Sequence, residues 1–214
     1  MINSDSNITT IHSHHNHLEI IEFFDKVADN WDSYVTPETL LRAEKLLDKV
    51  PINSGDTIID IGSGTGILVP YLMNRLQNRG ILIELDISSK MLRIGMGKYS
   101  NEHLYWLTAD GHFLPIINNS VDVVICYGIF PHFTNKEKAI KDIARVLKQK
   151  GYMAICHSKS SKEINNIHKN IGGVVEHHTI PEFSLVKELF DSSGLHITHF
   201  QDSEEGYLLI ATKQ

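Results

Sequence analysis

The chain has only two cysteines in 214 residues, no apolar run long enough to cross a bilayer, and no cluster of basic residues. Each shortage excludes something. Cys126 and Cys156 lie inside apolar, strand-like runs and cannot build a disulfide framework; buried, reduced thiols are expected. Without a membrane-length apolar run, and with a polar N-terminus that lacks a signal-peptide core, neither insertion nor export is expected, which places the protein in the cytoplasm. A net charge of −6 with no basic stripe argues against nucleic acid as the main partner. Neither a repeat nor an inter-domain linker is visible, and 42% hydrophobic with 21% charged residues is ordinary for one globular domain.

What is present is concentrated between residues 57 and 66. Thr57-Ile58-Ile59-Asp60-Ile61 is a β-branched run ending in an apolar residue after an acid, and Gly62-Ser63-Gly64-Thr65-Gly66 alternates glycine with small residues. An apolar helical pattern then begins at Ile67. This is a strand, a tight turn and a helix start, where glycine allows positive φ and close ligand approach, and a helix N-terminus favours an electron-rich group. A dinucleotide fingerprint requires glycine where Ile67 stands, and a phosphate loop requires a Gly-Lys-Ser/Thr ending. Neither pattern is satisfied.

Three further strand-like runs follow. Ile81 to Asp86 ends in an acid twenty positions after Gly66, suited to accept hydrogen bonds from a ribose diol. Leu104 to Leu107 precedes Asp110-Gly111, and Ser120 to Tyr127 has the continuous apolar character of a strand buried on both faces. In order and in type, DIGSGTG, ELDISSKML, TADGHFLP and SVDVVICYG, followed by RVLKQKGYMAICHS, resemble the motifs of class I S-adenosylmethionine (SAM)-dependent methyltransferases. The resemblance spans residues 20 to 160. It implies an α/β fold: a Rossmann-like, seven-stranded, mostly parallel sheet with an N-terminal helical cap and a lid after strand five. It also implies SAM as cofactor. Gly62, Gly64 and Gly66 would border its methionine and ribose, Asp86 and Ile87 its ribose, Asp110 and Gly111 its adenine, and Tyr127 its methionine end. Asp60 would order the loop or contact the methionine moiety, and Asp110 has the alternative role of a turn former before glycine.

Around this centre the chain divides into a mobile, His-rich tail at residues 1–16 and a methyltransferase domain at residues 17–214. Leu18, Ile21, Phe24, Ala28 and Trp31 recur at helical spacing, and Thr36-Pro37 starts a second helix. Residues 17–50 would form the cap, with Trp31 and Tyr34 facing the substrate. A helix is expected over Asn135–Lys148 and a fifth strand over Tyr152–His157. The polar stretch 158–181, with Gly172-Gly173 as a flexible point, is assigned as the substrate lid. A last helix over 182–192 and an antiparallel pair, Ile197–Phe200 with Tyr207–Thr212, close the domain.

Thirteen histidines are the second unusual feature. His12, His14, His15 and His17 crowd the N-terminus. His132 follows strand four, His157 ends strand five and His168 lies in the lid, with His177 and His178 beyond the double glycine. His132 and His157 are candidate acid/base groups, His132 and His168 candidate acceptor contacts, and His132, His157 and His168 together a candidate site for a divalent transition metal. Purely structural imidazoles are the third reading. These features point to transfer of a methyl group to a small-molecule acceptor. The rival is a non-catalytic sensor of SAM or metal, and a nicotinamide oxidoreductase is disfavoured by Ile67. No feature sets an oligomeric state.

Overall fold

A computed structural model describes residues 18–214; the histidine-rich stretch 1–16 and His17 lie outside the described residues. Helix α1 covers residues 18–27 and runs into a 3-10 turn at Ala28–Tyr34. Helix α2 is Pro37–Leu47; the Thr36 side chain accepts from the Thr39 N–H, and Pro37 occupies the first turn, where no donor is lost. Strands and helices then alternate as β1 Thr57–Ile61, α3 Val69–Leu76, β2 Ile81–Asp86, α4 Ser89–Lys98, β3 Leu104–Thr108, β4 Val121–Tyr127, α5 Lys136–Val146 and β5 Leu147–His157. Helix α6 Ser161–Ile171 and α7 Phe183–Ser192 precede β6 Leu195–Ser203 and β7 Gly206–Lys213.

The seven strands form one sheet in the order β3-β2-β1-β4-β5-β7-β6. The first five are parallel and β7 is antiparallel to both β5 and β6. Alternate residues serve opposite faces. Ile59, Ile61, Val124, Cys126 and Ile155 pack with α5 and α7, whereas Ile58, Leu82, Val123, Ile125 and Cys156 pack with α2 and α3. The two cysteines therefore occupy opposite faces of the sheet, both fully buried and unpaired. Burial on two faces explains the unbroken apolar character of β1 and β4. Because all five parallel strands end on one side, the β1–α3 loop, the β2 tip, the loop after β3 and the turn after β4 meet there.

Two boundaries differ from expectation. Helix α5 ends at Val146, and β5 begins at Leu147 rather than Tyr152. Leu147 is buried and pairs with Val121, so its apolar character suits a helix end and a strand start equally. The strand is irregular there, Lys150 has φ +65°, and Lys148 turns back to bond Asp122. The segment after β5 contains a full helix, α6. A reciprocal capping box starts it: Ser160 receives the Glu163 N–H, and Glu163 receives the Ser160 N–H.

Gly95 and Gly97 both lie in α4, and they test how tightly this helix packs. A Cβ on Gly95 would lie 2.4 Å from the Trp106 ring, whereas one on Gly97 would meet nothing within 4 Å. Gly97→Ala should stabilise by about 0.5–1 kcal/mol through helix propensity. Gly95→Ala should destabilise by about 1–3 kcal/mol because overpacking outweighs that gain. Urea midpoints of the two variants check the opposite signs.

Candidate cofactor and acceptor site

The strand tips border a cleft whose walls include Gly62, Gly64, Asp86, Ile87, Gly111 and His132. The loop after β1 is shaped by positive φ at Gly62, Gly64 and Gly66. Gly62 is doubly constrained, since a Cβ there would lie 2.5 Å from Ile129. Asp86 organises the opposite wall. Its Oδ2 accepts the Gly64 N–H at 2.9 Å and its Oδ1 accepts the Ser88 N–H at 2.8 Å. Ser88 in turn caps α4 by accepting the Met91 N–H. Burial raises the Asp86 pKa, and these backbone donors act against that rise. A carboxylate accepts about four hydrogen bonds, so capacity remains toward the cleft.

The N-terminal helix closes the cleft from above. Ile20, Phe24 and Trp31 line it, and the Trp31 Nε1 lies 3.6 Å from where a Gly64 Cβ would be. Aspartates spaced by four and three residues hold the helix down. Asp25 accepts from Ser88 Oγ at 2.5 Å, Asp29 pairs with Lys90 at 2.7 Å, and Asp32 accepts from Thr65 Oγ1 and Lys98. Partial burial works against ionisation of Asp32, but Lys98 and Thr65 outweigh it and lower its pKa. Tyr34 points outward, 65% exposed, with its ring edge against Trp31.

Beneath the glycine loop, Asp60 and Glu84 sit side by side in the β1–β2 register, almost fully buried. Asp60 Oδ1, both Glu84 oxygens and Ser63 Oγ have no hydrogen-bond partner among the described residues. Burial first, then the Asp86 carboxyl for Asp60 and the Asp60 carboxyl for Glu84, holds both acids well above the usual range. Beyond β3, Asp110 Oδ1 accepts the His112 N–H and lies 2.6 Å from His112 Nδ1. His112 Nε2 accepts the Asn135 N–H, so the ring proton is on Nδ1 and faces Asp110. The turn-forming geometry at Asp110 is thus present, and His112, unassigned from sequence, lines the cleft. Tyr127 carries a buried hydroxyl on the α2/α3 side of β4, and burial raises its pKa.

The histidines converge, but with a different membership from that expected. His132 Nδ1 lies 2.9 Å from His178 Nδ1, and His168 Nδ1 donates to the His178 carbonyl at 2.5 Å. The His132 and His168 rings are 4.8 Å apart. His157 is buried below them with Nε2 unpartnered and its ring against Tyr207. Among the described residues no group of three or more His, Cys, Asp or Glu is arranged to hold a metal ion. The proposed His132–His157–His168 metal site is therefore not supported. One ring nitrogen each of His132 and His168 is spent on His178, and His157 Nε2 hydrogen-bonds to neither of them. Of the converging histidines, His178 was given no role from sequence, because its spacing from His132 is set by the path of the chain after α6.

Known proteins align with this arrangement. Residues 59–155 match the methyltransferase domain family. A malonyl-[acyl-carrier protein] O-methyltransferase of Marinomonas sp. is 27% identical over 81% of this chain and 64% of its own length. The ubiquinone/menaquinone biosynthesis C-methyltransferase UbiE of Wigglesworthia glossinidia brevipalpis is 31% identical over 63% of this chain and 54% of its own length. The chain thus spans between half and two thirds of these relatives. A SAM-dependent methyltransferase from Aquifex aeolicus superposes with a TM-score of 0.71 over 87% of this chain and 98% of its own, at 19% identity. Fold and site define the class I methyltransferase architecture. Residues 59–155 of this chain are similar to that methyltransferase domain family, and the chain shares the fold of the Aquifex protein.

The buried imidazoles give stability a signed pH dependence. Burial, with His168 nearby, holds His157 down to a pKa of about 3, while in the unfolded chain it titrates near ~6.5. Between these values the unfolded state binds the extra proton. Stability is therefore full above pH ~6.5 and falls on acidification, by up to ~1.4 kcal/mol per pH unit for this one residue. Urea unfolding at pH 7.5, 6 and 5 should show the decline, and His157→Gln should flatten it. A variant with the wild-type slope would assign the decline to other groups.

Proposed function

We propose that this chain binds SAM in the cleft and transfers its methyl group to a small-molecule acceptor entering between α1 and the segment 158–181, with His132 as the base. The observation that carries this reading is the opposition of two walls: the Asp86-anchored glycine loop on one side and His132 on the other, under a helix that excludes water. The site fits SAM. The glycine-lined turn allows close approach, Asp86 retains acceptor capacity for a ribose diol, and Ile61, Leu85, Met91 and Ala109 offer apolar walls to an adenine. Ser63 Oγ and Asp60 Oδ1 are polar atoms near the loop without partners of their own.

When bound, SAM supplies an activated sulfonium methyl; an acceptor–carbon bond forms as the carbon–sulfur bond breaks with its pair to sulfur, and the acceptor is left with one proton to lose. The chain's part is then to align two molecules, exclude water and remove that proton. Trp31, Phe24 and Ile20 exclude water from above. Segment 17–50 acts as the cap and 158–181 as the acceptor wall, and the assignment of both to a cytoplasmic enzyme follows the same reading. The names of the two relatives, an O-methyltransferase of malonyl-[acyl-carrier protein] and a C-methyltransferase of quinone biosynthesis, support an acceptor with an acidic O–H or C–H. A non-catalytic SAM sensor would share the cleft but has no need of His132. A metal sensor lacks a metal-holding group among the described residues.

Calorimetry should show binding of SAM and of its demethylated product but not of NAD. Asp86→Ala should weaken SAM by about 2–4 kcal/mol, through lost charge-assisted hydrogen bonds and a loosened loop. Labelled SAM with a substituted hydroquinone and a malonyl thioester as probes then tests transfer. NAD binding without SAM binding would overturn the assignment.

A further inference from the structure

Transfer from a sulfonium to a neutral acceptor releases one proton inside a closed cleft, and the route by which it leaves must be built from this chain. His132 lines the cleft and His178 is part-exposed on the far side of it, after α6. Their Nδ1 atoms are 2.9 Å apart. At that distance one ring donates and the other accepts, so the neutral pair shares one proton between two nitrogens. His132 Nε2 makes no hydrogen bond among the described residues and is absent from the buried, unpartnered atoms, which leaves it accessible from the cleft.

We propose that His178 is the exit for the methyl-transfer proton: His132 Nε2 takes it from the acceptor, His132 Nδ1–H passes its own proton to His178 Nδ1, and His178 Nε2–H releases one to solvent. This rests on the methyltransferase reading above. One proton enters and one leaves, and each ring stays neutral once the transfer is complete. The pair resets when product departs: water in the open cleft takes the proton from His132 Nε2, the shared proton returns from His178 Nδ1 to His132 Nδ1, and solvent restores one at His178 Nε2.

The neighbouring groups offer no competing route. His168 Nδ1 is committed to the His178 carbonyl, which also fixes where the His178 backbone lies. His157 Nε2 is sealed without a partner. His112 has both ring nitrogens engaged, by Asp110 and by the Asn135 N–H. The Lys136 ammonium donates to the Pro131 and Phe133 carbonyls and has no lone pair to accept with.

The electrostatic setting agrees. Burial, followed by His168, His178, His157 and Lys136, holds His132 well below the ordinary histidine range. Burial, followed by Lys136, His168 and His177, brings His178 to about 4. Phe24 packs edge-on against His132 and adds no charge. Weak proton affinity along the pair suits a conduit, since neither ring retains the proton it receives.

The direction of the shared hydrogen bond is decisive and can be read without turnover. In the full chain labelled with 15N-histidine and saturated with SAM's demethylated product, NMR should show His132 protonated at Nδ1 and bare at Nε2, with His178 bare at Nδ1. The reverse tautomers, or no coupling between the rings, would overturn the relay. With the hydroquinone probe, whose O–H or ring C–H loses a proton on methylation, His178→Ala should lower kcat by about tenfold or more. SAM affinity should be unchanged, and added imidazole should restore much of the rate. His178→Gln, which keeps a polar contact but carries no proton through, should stay slow. Wild-type turnover in His178→Ala, or a slow variant that imidazole does not rescue, would also overturn it. A wild-type protein that binds SAM yet does not methylate the hydroquinone would instead fail that acceptor assignment, and the tautomers alone would then decide the relay.

Discussion

The Asp86 carboxylate joins three parts of the molecule that the sheet alone would leave separate. It ends β2, receives the Gly64 N–H from the loop after β1, and receives the Ser88 N–H at the start of α4. A glycine-rich loop is entropically costly to hold in one shape, and a buried carboxylate needs donors. Each demand answers the other. With the loop fixed, Gly64 offers a flat surface to Trp31, and Thr65 and Ser88 become anchors for Asp32 and Asp25 on the N-terminal helix. The cleft, its roof and its polar wall therefore all depend on one side chain at a strand tip.

The apolar residues account for the fold, and the exceptions to polar satisfaction collect where chemistry is expected. Asp60, Glu84 and Ser63 keep unpartnered polar atoms beneath the loop, and His157 and Tyr207 keep them beneath the histidines. Buried polar atoms without partners cost roughly 1–3 kcal/mol each. Most of the unpartnered atoms, with Tyr127 Oη at the end of β4 and apart from His199 Nε2 in β6, lie at the carboxyl ends of the parallel strands, the usual place of a ligand in an open α/β sheet. Glu84 is the extreme case, with Asp60 beside it and Trp106 as its register partner on β3. It persists because a raised pKa lets it carry a proton and shed the cost of a buried charge.

Legibility followed chain separation. β1 and β4 were visible as apolar runs because two-sided burial leaves them no polar face. Asp86 was legible as a ligand-facing acid but not as the anchor of the loop, since that bond spans 22 residues. Leu147 hid the α5–β5 boundary because it is buried in either state. Tyr34 belonged to an aromatic pattern whose other members turn inward. Its outward direction is set by the 3-10 geometry at Ala28–Tyr34, which rotates successive side chains differently from an α-helix. His178 is 46 residues from His132, with β5 and α6 between them, and no local pattern could pair them.

The ties that hold the N-terminal helix have a bearing on how the protein comes into being. Asp25 meets Ser88 and Asp32 meets Thr65 and Lys98, at separations of 63, 33 and 66 residues. During synthesis the helix precedes all of its anchors: Thr65 follows with the turn after β1, and Ser88 and Lys98 only with the second βα unit. The segment that seals the cleft is therefore translated before every group that holds it. Until then its Phe23, Phe24 and Trp31 have only one another for cover, in the edge-to-face stack that they keep in the finished structure.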